Sequence, residues 1–194
     1  MSRNIVFFGS TKLSEAILVY LIKKGINIKA IFSIPKEFKI SYSKKKVVNS
    51  NYADLSKYAE KLNIPYYVVE STEEKKITNY VHDLKELSPD VILAIGWYYM
   101  VPKIIREIPT EGVWGIHASL LPEYAGGAPL VWAMINGEKY TGITLFRMDS
   151  GVDDGDIIEQ KKIVIEEDDT IKSMLLKVSK FSKTLINKAL NNPK

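Results

Sequence analysis

The chain has 194 residues, 46% of them hydrophobic and 26% charged, with a formal net charge of +4. That composition supports one well-formed core and excludes wholesale disorder. There is no cysteine, so a disulfide framework and a thiolate zinc site are ruled out, and the two histidines, His82 and His117, are too far apart in sequence to suggest a histidine metal centre.

Asn4 to Phe8 is an apolar run that predicts a first strand, after which Gly9-Ser10-Thr11 turns the chain. The start, Met1 to Ile5, lacks the apolar core and cleavage site of a signal peptide. No apolar run reaches the roughly 18 residues of a membrane span, so a cytoplasmic protein with no membrane partner is expected. Leu13, Ala16, Ile17, Tyr20 and Leu21 recur at helical spacing until Gly25 stops the helix, and Ile26 to Phe32 reads as a second strand. The polar segment 34–52 is expected to be a long loop. A helix over 53–62, a strand over 66–69, a helix over 73–86 and an apolar strand over 90–95 follow. Gly96 to Val101 is an aromatic turn, and Pro102 opens a short helix to Ile108.

Residues 112–117 predict a strand ending at His117, and 120–129, rich in proline and glycine, a loop. A short helix over 130–135 is ended by Asn136-Gly137. Residues 141–148 alternate like a strand, 149–156 form an acidic glycine-containing loop, 157–165 a last strand, and 170 to about 190 an amphipathic helix. Nothing repeats and no linker divides the chain, so a single domain over 1–194 is expected. Strands alternating with helices predict an α/β, Rossmann-like fold: a mostly parallel sheet with helices on both faces. Ligands bind such sheets at the carboxyl ends of the strands, and His117 stands at one.

A lone histidine is more often a hydrogen-bonded loop residue than a catalyst. Here the acidic loop Asp149-Ser150-Gly151-Val152-Asp153-Asp154-Gly155-Asp156 follows a later strand, and aspartates at strand ends can orient an imidazole and stabilise its cation. Ser150 and Val152 interrupt the alternating oxygen ligands of a calcium loop, and no metal is expected. Trp97-Tyr98-Tyr99 reads as core or rim, with a planar-ligand pocket as the sharper alternative. Gly9-Ser10-Thr11 is a weak candidate for presenting amides to a phosphate. The lysine run 44–46 and the lysines at 172, 177, 180, 183 and 188 read as solvated surface, with attraction of an anionic substrate equally open for 44–46. No interleaved basic and aromatic stripe points to nucleic acid. The apolar stripe Ile171, Met174, Leu175, Val178 and Leu185 reads as packing on the sheet, with a homodimer interface left open.

Gly115-Ile116-His117-Ala118-Ser119-Leu120-Leu121-Pro122-Glu123-Tyr124-Ala125-Gly126 resembles the Asn-x-His-x-Ser-Leu-Leu-Pro-x-Tyr-x-Gly text of the folate-dependent formyltransferases. Gly142-Ile143-Thr144, followed by Asp149 and by Gly151-Val152-Asp153-Asp154-Gly155, is similar to that family's second block. The resemblance implies a transfer from 10-formyltetrahydrofolate to an amine, with His117 and Asp153 catalytic. It implies a pterin held by Tyr98, Tyr99, Met100 and Val101 and by Asp149, Ser150, Gly151 and Val152. The family's asparagine, an oxyanion donor, falls on Gly115, and Ala125 and Gly127 stand where many relatives carry arginine.

Methionyl-tRNA formyltransferases usually carry an additional C-terminal domain, for which little room remains before Lys194. Glycinamide ribonucleotide enzymes usually have a first turn richer in glycine and asparagine. Tyr98-Tyr99 and Met148 to Gly151 look closer to the sugar N-formyltransferases. The expected acceptor is therefore a nucleotide-linked amino-deoxy sugar, a pseudaminic acid precursor being one version, in surface glycan biosynthesis. The alternatives are a glycinamide ribonucleotide or methionyl-tRNA type enzyme, a formyl-folate hydrolase, and an inactive folate- or nucleotide-binding domain.

Overall fold

The computed structural model describes residues 3–39 and 45–191. Lys44, part of the lysine run at 44–46, lies outside the described residues. Two compact units divide the chain, Met1–Val113 and Trp114–Lys194.

The first unit holds β1 (Asn4–Gly9), α1 (Lys12–Lys23), β2 (Asn27–Ser33), β3 (Glu37–Phe38), β4 (Val47–Val48), α2 (Ser56–Leu62), β5 (Tyr66–Val68), a 3-10 turn (Ile77–Tyr80), α3 (Val81–Leu87), β6 (Val91–Ile95) and α4 (Lys103–Arg106). Its strands run in the order β5-β2-β1-β6, and all three pairings are parallel. Parallel strands buried on both faces need continuous apolar sequence. Ile5 to Phe8 and Val91 to Leu93 supply it, each with no exposed surface. Thr11 caps α1 in a reciprocal box with Ser14, and Gly25, at φ 69, carries the chain out of the helix.

Three expectations are adjusted here. The loop expected over 34–52 contains the antiparallel pair β3–β4. The helix expected from residue 53 begins at Ser56, because the Asp54 carboxylate accepts the Ser56 N–H and ends the preceding turn. The helix expected over 73–86 is the 3-10 turn followed by α3. Its first residues are drawn off by the Glu70 N–H bonding the Lys75 carbonyl and by Asn79 Nδ2 bonding the Glu73 carbonyl.

The second unit holds the rest of β7 (Val113–His117), then α5 (Pro129–Ile135), β8 (Tyr140–Arg147), β9 (Ile157–Val164) and α6 (Ile171–Asn191). β7, β8 and β9 pair antiparallel in that order. α6 lies against β8 and β9. It buries Met174, Val178, Leu185 and Ile186, while Ile171 and Leu175 of the same stripe stay exposed. Thr170 and Ser173 exchange backbone and side-chain hydrogen bonds at its start, a second capping box. The expected α/β fold with a mostly parallel sheet is the one observed, the antiparallel pairings of the seven-stranded sheet lying among β7, β8 and β9. Among the described residues no helix is long and apolar enough to cross a membrane.

Candidate active site

His117 is the last residue of β7, is 7% exposed, and lies opposite Thr144 of β8 in the ladder. Beyond it the chain is tied down residue by residue. The Thr144 hydroxyl, in the fully buried middle of β8, donates to the Ser119 carbonyl at 2.8 Å and accepts the Leu121 N–H at 3.1 Å. Gln160 Nε2, on β9, bonds that hydroxyl at 2.9 Å and the Leu121 carbonyl at 3.0 Å. The Ser119 hydroxyl donates to the Glu123 carbonyl at 2.6 Å. Backbone polar groups in a loop must find partners, and these side chains supply them. The chain then turns at Tyr124 through a left-handed backbone, φ 54, which brings the Tyr124 carbonyl to 2.8 Å from His117 Nε2.

The second component comes from the β8–β9 loop. The Arg147 N–H bonds the Asp156 carbonyl, and the Asp149 N–H the Asp154 carbonyl, both at 2.9 Å, closing the loop at its base. Gly155 has φ 124, and any Cβ there would collide with the Arg147 carbonyl oxygen, so only glycine fits. Within this closed loop Asp153 adopts φ 49, a conformation aspartate tolerates better than most residues. Its Oδ2 lies 3.3 Å from His117 Nδ1 and accepts the Gly126 N–H at 2.8 Å.

Both ring nitrogens of His117 therefore face oxygen acceptors, and only the protonated imidazolium can donate to both. Burial pulls the His117 pKa down, but the bonds to Asp153 and the Tyr124 carbonyl outweigh it and leave the ring above its ordinary value. Burial pushes the Asp153 carboxyl up, while the bonds from His117 and the Gly126 amide outweigh that and hold it below its ordinary value. The result is an imidazole–carboxylate pair at a strand end, suited to polarising a carbonyl oxygen and moving a proton.

The remaining candidates from the sequence are distributed as follows. Gly115 is buried in β7 opposite Phe146, and a Cβ there would meet Met148 Cε at 2.5 Å. Asp149, Ser150, Gly151 and Val152 are exposed on the same loop as Asp153. Tyr98, Tyr99, Met100 and Val101 follow β6 in the first unit. Tyr98 donates to Asn49 Oδ1 at 3.1 Å and packs on Phe38, Met100 is exposed and Val101 buried. At the turn expected to offer amides to a phosphate, the Thr11, Lys12 and Ser14 amides are bonded within the chain. Ser10 and Thr11 are buried; the Thr11 N–H bonds Ser14 Oγ, the Ser14 N–H bonds Thr11 Oγ1, and the Lys12 N–H bonds the Asn51 carbonyl. A Cβ on Gly9 would lie 2.6 Å from that of Ser14, so the turn is packed directly on α1. Among the described residues no group of three or more His, Asp or Glu side chains could hold a metal ion. The Tyr124 carbonyl, the Gly126 amide, Thr144 and Gln160 carried no role in the sequence reading. Main-chain groups leave no side-chain signature, whereas the polar residues Thr144 and Gln160 in strand positions were the one available hint.

Comparison with known proteins gives one family. The formyl transferase profile matches residues 3–190. A methionyl-tRNA formyltransferase of Thermodesulfovibrio yellowstonii is 35% identical over 96% of this chain, and one of Prochlorococcus marinus subsp. pastoris is 34% identical over 97%. The chain spans 58% and 56% of the length of those two relatives. Among solved structures, phosphoribosylglycinamide formyltransferase of Bacillus halodurans is similar in fold. Its TM-score is 0.76 at 22% identity, over 99% of this chain and 97% of that one.

Proposed function

The chain belongs to the formyl transferase family, and from that premise we propose that it transfers a formyl group from 10-formyltetrahydrofolate to an amine, with residues 1–194 acting as one catalytic domain. The observation that carries this reading is the His117 ring held between Asp153 Oδ2 at 3.3 Å and the Tyr124 carbonyl at 2.8 Å. It sits in the two sequence blocks that resemble the family.

In this reading the amine nitrogen attacks the formyl carbon and the carbonyl oxygen becomes an oxyanion. The His117 imidazolium donates to that oxyanion from Nε2, giving up its bond to the Tyr124 carbonyl as the charge develops, and Asp153 on Nδ1 stabilises the ring while it is charged. The bond from the formyl carbon to N10 of the folate then breaks. N10 takes up a proton, the new amide nitrogen loses one, and tetrahydrofolate leaves. Gly115 supplies no side-chain donor where the family resemblance implies asparagine, and a missing donor of that kind costs roughly 3 kcal/mol of transition-state stabilisation. The imidazolium is then the principal donor to the oxyanion.

The acceptor best supported is the α-amino group of methionyl-tRNA, because the relatives named above at 34–35% identity are methionyl-tRNA formyltransferases. This replaces the nucleotide-linked sugar of the main expectation with the methionyl-tRNA type named as an alternative, and it brings an aminoacylated tRNA in as partner where no nucleic acid was expected. The start of α1 argues the same way, since its Thr11, Lys12 and Ser14 amides are already bonded within the chain. A small substrate recognised by its phosphate at that turn would find no amide of those three free. A panel of acceptors offered with 10-formyltetrahydrofolate tests the assignment. Formylation of methionyl-tRNA, and none of a nucleotide amino-sugar, is expected; the opposite preference would restore the sugar reading.

A further inference from the structure

Tyr124 is anchored at its other end as well. Its hydroxyl donates to Glu138 Oε1 at 2.7 Å and accepts from Asn136 Nδ2 at 3.1 Å. Both partners lie in the short connection between α5 and β8. At φ 54 the Tyr124 backbone occupies a region that a bulky aromatic residue rarely adopts. Such a conformation persists where the surroundings over-determine it, and strained backbone of this kind collects at functional sites. The hydrogen-bonded phenol provides that constraint, and its effect is to point the carbonyl at His117 Nε2.

We infer that Tyr124 is a positioning residue for His117: its main-chain carbonyl fixes Nε2 as a donor, and the Tyr124–Glu138–Asn136 cluster holds that carbonyl in place. With Asp153 as its one acceptor, a neutral ring carrying its hydrogen on Nδ1 would lose nothing. With a second acceptor at Nε2, the neutral ring leaves one oxygen without a hydrogen, so the carbonyl helps keep the ring an acid. Asp153 faces the ring from the β8–β9 loop and Thr144, which does not titrate, lies opposite it on β8, while Glu138 reaches it through the Tyr124 phenol. The catalytic consequence rests on the formyl-transfer reading of His117, whereas the positioning itself does not.

The chain contains two histidines, and His82 has an 85% exposed side chain, so ring NMR titration resolves His117 against an internal reference. In Tyr124→Phe and Glu138→Ala, the His117 midpoint is expected to fall. Turnover should drop on the order of ten- to a hundredfold, with the KM for the formyl donor changed less than ~2-fold. Glu138→Gln, which keeps an acceptor oxygen, should retain the wild-type midpoint. Should Glu138→Ala not fold, Asn136→Ala at the exposed edge of the cluster reads the same effect as a smaller shift in the same direction. An unchanged His117 midpoint in folded Tyr124→Phe overturns the proposal. Equal shifts in Glu138→Gln and Glu138→Ala overturn it too, since they would mark a charge acting through space. If the midpoints move as expected while wild type releases no tetrahydrofolate with any amine, the positioning stands and the transferase reading falls.

Discussion

Met148 Cε lies 2.5 Å from where a Cβ on Gly115 would sit, with Phe146 Cε1 at 3.0 Å, so the space beside the strand that ends at His117 is already filled. The nearer obstacle is the free end of a flexible side chain, which can rotate away at small cost. Gly115→Asn is therefore expected to fold, displace the Met148 methyl and return a neutral donor to the oxyanion. Turnover should rise by about a hundredfold, measured as kcat for formyl transfer. A folded Gly115→Asn chain with no gain, alone and with Met148→Ala, would show that the oxyanion is held elsewhere.

Asp153 and His117 are expected to act as one unit. His117→Ala and Asp153→Ala should each lower kcat by roughly 10²–10⁴-fold, the range for a positioned acid–base group. The double variant should fall little below the worse single one, because groups acting together are not additive. Steady-state rates on variants with native far-UV spectra decide this.

The same pair sets a stability window. Asp153 is held below its ordinary 3.8, so its contribution is fully present above that pH and is lost as pH falls through the folded value. His117 is held above its ordinary 6.5, so its contribution is fully present below that pH and is lost as pH rises through the folded value. The two overlap between 3.8 and 6.5. The Tm difference between wild type and Asp153→Asn is expected to be widest there and to narrow on the alkaline side. A difference that stays constant from about pH 5 to about pH 9 would contradict the linkage.

Gly155→Ala tests the loop that delivers Asp153. The residue is at φ 124 and a methyl there would strike the Arg147 carbonyl, so backbone must shift. A loss of more than about 1 kcal/mol in denaturant-derived stability is expected, together with lower turnover as Asp153 moves off the ring. Gly126→Ala, also at positive φ but with open space around it, should cost less and leave the β8–β9 loop intact.

The strands of the first unit were legible because Ile5 to Phe8 and Val91 to Leu93 are continuous apolar runs, which is how doubly buried parallel strands are written. The pairing of His117 with Asp153 was accessible through the family resemblance of the two blocks that hold them. Tyr124 was visible as a residue of the motif but not as a functional group, because its carbonyl acts and its unusual φ leaves no trace in residue type. The break at 73–80 was equally hidden. It depends on where the Glu70 amide and the Asn79 side chain find acceptors, which helical periodicity does not encode.

The most direct test is tetrahydrofolate release from 10-formyltetrahydrofolate, followed with and without methionyl-tRNA, for wild type and for His117→Ala. Release that needs the amine in wild type and vanishes in folded His117→Ala is the expected result. Release at the same rate without any amine, or undiminished when the imidazole is gone, would contradict formyl transfer by this ring.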